Sequence, residues 1–138
     1  MSLDLHALND AMFARPPVYA WRADLPELCR IAMDARKSAD ASLFLEEFDR
    51  LRVAQEADAQ FVRLGSSVIY KDLRSKRRRC IRLVRPGCEN ADESEVSLLS
   101  PIGGALVGLA AGSVFRWVGL DGRLRAIKVL EIIAEDAK

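Results

Sequence analysis

Apolar residues recur at helical spacing in the first part of the chain and at strand spacing in the second, and the change falls near Gly65. Residues 3–14 place Leu5, Leu8 and Met12 on one side of a short helix, which Pro16 and Pro17 stop. Residues 18–23 read as a linker with two aromatic side chains, Tyr19 and Trp21, suited to packing on the helices or to meeting a partner. A stronger helix opens at Asp24, because Asp24 and Glu27 have capping-box spacing, and Leu28, Ile31, Ala32 and Ala35 then share a face. Residues 37–40 break it. A second helix is predicted to run to about Glu56, with Phe44, Phe48, Leu51 and Gln55 in one stripe and an ion pair from Glu46 to Arg50 on the outer side. Two amphipathic helices with so short a break form an antiparallel hairpin, with Phe44, Phe48 and Leu51 inside it. At 1.5 Å per residue each arm is only about 20–25 Å long.

After Gly65, residues 67–72 and 79–84 are β-prone, residues 71–76 form the turn between them, and Pro86-Gly87 closes the second strand. An acidic loop with room for one helical turn follows over residues 89–95. Residues 96–99 form a short buried strand. Pro101 suits the first turn of a helix whose apolar side is Ile102, Leu106 and Leu109, and which Gly112 ends. Two further strands, Val114–Val118 and Leu124–Ile133, pair across Asp121-Gly122, the strongest hairpin signal in the chain. The fold class is α+β: a twisted antiparallel sheet with one packed helix, preceded by a short antiparallel helical hairpin. The expected division is an N-terminal arm over residues 1–23, the hairpin over 24–60 and the sheet domain over 61–138.

The chain has 138 residues, half of them hydrophobic, enough for a core without disulfides or a metal. Cys29, Cys80 and Cys88 are odd in number and loosely spaced, which argues for reduced thiols and a cytoplasmic location. With His6 the only histidine, no structural zinc set and no Ser/His/Asp or Cys/His nucleophilic set is expected, and the chain is read as non-enzymatic, without a cofactor. The longest uncharged run, residues 96–115, has membrane length but holds four glycines and a proline, so a strand, turn and short helix explain it better than a span. Gly103, Gly104 and Gly108 lack the lysine and spacing of a phosphate loop, so close helix–sheet packing is the expected use. Net charge is +1, so any preference for polyanions must be local. Such a place exists: Lys71, Arg74, Lys76, Arg77, Arg78, Arg79, Arg82 and Arg85 fall within fifteen residues, opposed only by Asp72. The strip is read as a partner contact, with a protected sheet edge as the plainer alternative. The scarcity of aromatics in it argues against stacking on single-stranded bases.

Residues 96–112, continued by Ser113-Val-Phe-Arg-Trp117, resemble the C-terminal domain of the GreA/GreB transcript cleavage factors. Residues 65–68, 83–87 and 124–131 match other pieces of that domain in order, so the resemblance spans roughly residues 62–134. Within the family, the short hairpin and the run SPIGGALVGL look most like the regulator of nucleoside diphosphate kinase subgroup, Rnk. The resemblance implies an FKBP-like fold for the sheet domain, a short coiled coil before it, and binding of bacterial RNA polymerase at its secondary channel, with weak nucleic-acid contact at most, no membrane, and a monomer favoured. The expected polymerase contacts are Arg77, Arg78, Arg79 and Arg82, the corner Ser100, Pro101, Ile102, Gly103 and Gly104, and Ser113, which stands where the family usually has Asp. Cleavage-competent members carry two acidic residues at the hairpin tip, because carboxylates are hard ligands for a second Mg²⁺ that activates the attacking water. Here the tip offers Asp34, Arg36, Lys37 and Asp40, with no such pair. The implied function is therefore a polymerase-binding regulator without cleavage activity, in competition with longer Gre factors. A basic-strip nucleic-acid module is the alternative, and an FKBP-like isomerase a weaker one, because fold alone does not assign chemistry.

Overall fold

A computed structural model describes residues 15–36, 41–55, 60–119 and 121–133. The expected helix over residues 3–14, His6, Lys37 and Asp40 lie outside them. The chain begins with strand β1, Val18–Ala20, followed by a 3-10 turn and helix α1, Leu25–Ala35. Helix α2, Ser42–Phe48, leads into strand β2, Leu51–Val53. The main sheet contains β3 (Ser67–Asp72), β4 (Arg78–Val84), β5 (Glu95–Ser97), β6 (Val114–Val118) and β7 (Leu124–Ile133), with helix α3, Pro101–Leu106, between β5 and β6. The strand order is β5-β4-β3-β7-β6.

Alternation sorts this sheet into two faces. Val68 and Tyr70 of β3, Ile81 and Leu83 of β4, Phe115 and Trp117 of β6, and Ile127, Val129 and Ile132 of β7 are buried on the inner face. Leu28, Ala32, Leu43, Phe44 and Leu106 of the three helices, with Val18 and Ala20, complete the same cluster. The β6–β7 hairpin has the predicted bounds. Gly122 takes φ +78° in its turn, and Asp121 accepts from the Arg123 amide at 3.0 Å. A bulge in β7 shifts the register against β3 between Ile69 and Tyr70.

Several expectations change. The sheet is mixed, because β5 runs parallel to β4 while all other neighbours are antiparallel. A 3-10 turn over Ala91–Glu93 carries the chain back to start β5 beside Arg82, so β5 is Glu95–Ser97 and half-buried, one residue earlier than the predicted strand. Helix α3 stops at Leu106 rather than at Gly112, because Gly108 turns the chain at φ +81° and Phe61 bridges to Ala110. Residues 18–20 are not a linker. They pair in parallel with β2, Val18 opposite Leu51 and Ala20 opposite Val53. That pairing also ends α2 at Phe48 instead of near Glu56, and Leu51 leaves the helical stripe for a strand. Asp24 does not cap α1 with its side chain; its carboxylate receives both Nε and Nη2 of Arg63, at 2.8 and 3.0 Å. Tyr19 and Trp21 pack on Phe61, with ring centroids 6.0 and 5.4 Å away.

Candidate functional site

Two places gather charged side chains. The first is a groove of about 720 Å³ on the inner side, where the start of α3 meets α2 and the ends of β3, β4, β6 and β7. Leu43, Val96, Ile102 and Trp117 line its apolar part, and Arg15, Arg79 and Arg125 stand around it with Glu46 and Asp121. Ser100 sets the position of α3: its Oγ accepts from the Gly103 amide at 3.1 Å and donates to the Ser97 carbonyl at 2.7 Å. Pro101 then occupies the first helical turn, where its missing N–H costs nothing. Gly103 and Gly104 are buried for packing. A Cβ on Gly103 would lie 2.0 Å from the Ser97 carbonyl oxygen of β5, and one on Gly104 would lie 2.7 Å from the Phe44 amide nitrogen of α2. The close approach is thus to a strand on one side and to a helix on the other.

Arg79 reaches the groove because it pairs with Tyr70 on the inner face. Its guanidinium charge acts on the Tyr70 hydroxyl beside it. Burial holds the Tyr70 phenol above its ordinary pKa, with Arg79 partly offsetting this, so the hydroxyl stays neutral. Arg125 donates to Asp121 at 2.9 Å. The Asp121 carboxyl is held below its usual range, first by the Arg123 backbone amide and then by Arg125 and Arg123.

Beneath the groove lies a buried ion cluster. Glu47 sits on the apolar side of α2 with no exposure. Arg50 donates to Glu47 Oε1 at 2.9 Å, and through Nη2 to the Pro16 carbonyl at 2.7 Å. Arg15 reaches Glu47 at 3.2 Å and Glu46 at 3.4 Å, and its guanidinium lies 5.0 Å from the centre of the Phe115 ring. The expected surface pair from Glu46 to Arg50 is replaced by this arrangement, because the end of α2 turns Arg50 towards the segment before β1. Desolvation pushes the Glu47 carboxyl above its usual range, against the pull of Arg50 and Arg15. No short motif marks these three residues. The one available signal was that Glu47 lies three residues after Phe44, on the stripe rather than opposite it.

The second place is the outer face of the sheet. The expected contact residues divide here: Arg78 and Arg82 point outward from β4, away from Arg79, while Arg77 is exposed at the end of the β3–β4 turn. Asp72 does not neutralise the strip as an ion pair; its carboxylate accepts from the amides of Arg74 and Ser75 at 2.8 and 3.2 Å and shapes the turn. Arg85 ion-pairs with Glu27 of α1 at 2.9 Å. Lys128 and Arg116, which no local pattern joins to the strip, stand on the same outer face. Ser113 stands outside the groove, at the corner after Gly112 that leads into β6, where its carbonyl accepts from the Val129 amide at 3.0 Å. Asp34 and Arg36 are exposed at the end of α1. Among the described residues no group of three or more His, Cys, Asp or Glu could hold a metal ion, and the three cysteines are free and exposed. No helix among them is long and apolar enough to cross a membrane.

The order of these pieces (two hairpin strands, a short parallel strand, a capped glycine-rich helix and a final hairpin) coincides with a known family. The family model for the transcription elongation factor GreA/GreB C-terminal domain matches residues 56–134. The chain belongs to this family. The fold agrees: a prokaryotic transcription elongation factor GreA/GreB from Nitrosomonas europaea superposes with a TM-score of 0.64 at 23% identity, over 85% of this chain and 99% of that one. The GreA factor homolog Gfh1 of Thermus thermophilus is 23% identical, over 82% of this chain and 87% of that one, with a TM-score of 0.46. Gfh1 of Thermus aquaticus is 22% identical, over 94% and 82%, also with a TM-score of 0.46. The first of these three shares the fold of this chain. No curated protein sequence shows a significant match.

Proposed function

We propose that this GreA/GreB-family chain is a regulator that binds bacterial RNA polymerase at its secondary channel and does not stimulate transcript cleavage. One observation carries the reading: among the described residues, a GreA/GreB C-terminal domain is joined to helices of eleven and seven residues. At 1.5 Å per residue these are roughly 16 and 10 Å long, too short to carry a ligand deep into a channel. Phe44 of α2 is fully buried against the rest of the fold, so this helix serves the core. Cleavage needs paired carboxylates at a tip to hold a second metal, and near the end of α1 the described acidic residue is Asp34, beside Arg36. The short helices also support placing the chain with the Rnk-like subgroup.

The groove beside α3 is the proposed contact. Its apolar lining suits the side chains of an amphipathic polymerase helix, and its arginines suit flanking carboxylates. The role is non-catalytic: the chain occupies the site that a cleavage factor uses. Backtracked elongation complexes test this. The chain alone leaves the transcript uncut, and added in excess it slows cleavage by a Gre factor. Cleavage stimulated by the chain itself would refute the reading.

A further inference from the structure

The outer face of the sheet carries a row of like charges that the fold does not need. Arg78 of β4 lies directly opposite Lys71 of β3, and Lys71 lies directly opposite Lys128 of β7. Arg116 of β6 stands in the next row, on the same face and towards the β3–β4 turn, where Arg74 is exposed. Like charges placed directly across strands destabilise a sheet. Among the described residues no carboxylate lies within ion-pair distance of Arg78, Lys71, Lys128 or Arg116. The carboxylates of this face, Glu131 opposite Ile69 and Glu95 opposite Arg82, fall towards the other end of the strands. Within a chain of net charge +1, the described residues thus gather cations at one end of one face. Edge protection does not account for this, because β3 and β7 are interior strands.

We infer that the row Arg78–Lys71–Lys128, with Arg116, is a binding site for the phosphate backbone of double-stranded nucleic acid. Strands spaced about 4.8 Å apart spread the three cations over roughly 10 Å, a span that covers two or three successive phosphates of one strand. The alternating outer positions between them are Ile69, Cys80, Ala126 and Val114, with no aromatic ring on which a base could stack. The face is therefore suited to a backbone rather than to unstacked bases, and it reads charge spacing rather than sequence. It is separate from the groove beside α3, so a duplex can be held while the groove is engaged.

The test uses the full chain without polymerase and a short labelled DNA duplex, read by fluorescence anisotropy across a salt series. The expected affinity is independent of sequence, and it falls with salt at a logarithmic slope of about 3–4, one phosphate for each cation. Replacing the row by K71Q, R78Q and K128Q weakens binding at least ~10-fold and lowers the slope by about 2–3. A control with the same charge change elsewhere, R22Q, R30Q and R52Q, stays within about twofold. Because the row is repulsive in the free protein, the first triple variant also melts about 1–4 °C higher, which separates lost binding from lost folding. Equal loss in both triple variants would reduce the effect to net charge and overturn the site. Tighter binding of a single strand than of the duplex, or equally row-dependent binding of poly-glutamate or anionic lipid vesicles, would overturn duplex nucleic acid as its occupant.

Discussion

The two faces of the main sheet handle charge in opposite ways. On the inner side a single carboxylate, Glu47, is removed from water and then surrounded: Arg50 and Arg15 approach it, and Arg50 also holds the Pro16 carbonyl. On the outer side Arg78, Lys71 and Lys128 stand in a row, exposed or half-exposed, with no acidic partner among the described residues. Burial makes each inner partnership expensive to break, whereas solvent makes the outer repulsion cheap to tolerate. The inner charges thus fasten the chain before β1 to α2 and the sheet. The outer ones are available to a ligand.

This contrast orders the expected effects of substitution. The largest belongs to the inner packing that the ion cluster rests on. Phe115→Ala removes a fully buried ring and the surface under the Arg15 guanidinium, and is expected to cost about 3–5 kcal/mol by denaturant unfolding. Next is Arg50→Ala, which leaves Glu47 buried with Arg15 as its remaining partner. A fully buried pair loses about 3–5 kcal/mol when broken, and the partial exposure of Arg50 brings the expected loss to about 2–3 kcal/mol. A loss no larger than that of a surface arginine would place the cluster in solvent and end the contrast.

Glu47→Gln sharpens it through pH. The folded-state pKa of Glu47 is raised, so between its ordinary value of 4.5 and the raised value the folded protein binds more protons than the unfolded chain. Its contribution to stability is full below 4.5 and is lost as pH rises through the raised value. The stability of the wild type relative to Glu47→Gln should therefore grow as pH falls from neutral towards 4.5. The opposite slope would mean that the arginines outweigh burial. The smallest effect lies on the outer face: Lys71→Gln relieves repulsion from Arg78 and Lys128 and is expected to stabilise by a few tenths of a kcal/mol, seen as a small rise in Tm.

What the sequence made legible follows from how local each determinant is. The β6–β7 hairpin was readable to the residue, because Asp121-Gly122 satisfies the turn and the flanking strands alternate. Ser100-Pro101 likewise announces the start of α3. The β1–β2 ribbon was not readable, because each strand has three residues and finds its partner across thirty-three positions. The end of α2 was hidden for the same reason: it depends on that ribbon and on Arg50 reaching Arg15 and Pro16. The basic strip was legible as a strip but not as two surfaces. Alternation in β4 sends Arg78 and Arg82 outward and Arg79 into the groove, and the row is completed by Lys128, which is remote in sequence.

The proposed contact sets the inner groove of the Gre-type domain against polymerase. Titration of labelled chain with bacterial core RNA polymerase at low salt tests it most directly, with Ile102→Glu beside the wild type. Saturable binding is predicted, displaced by a Gre cleavage factor and weakened at least ~10-fold by the substitution, since a buried charge at an apolar contact costs more than 1.4 kcal/mol. No binding, or binding that a Gre factor cannot displace, would contradict it.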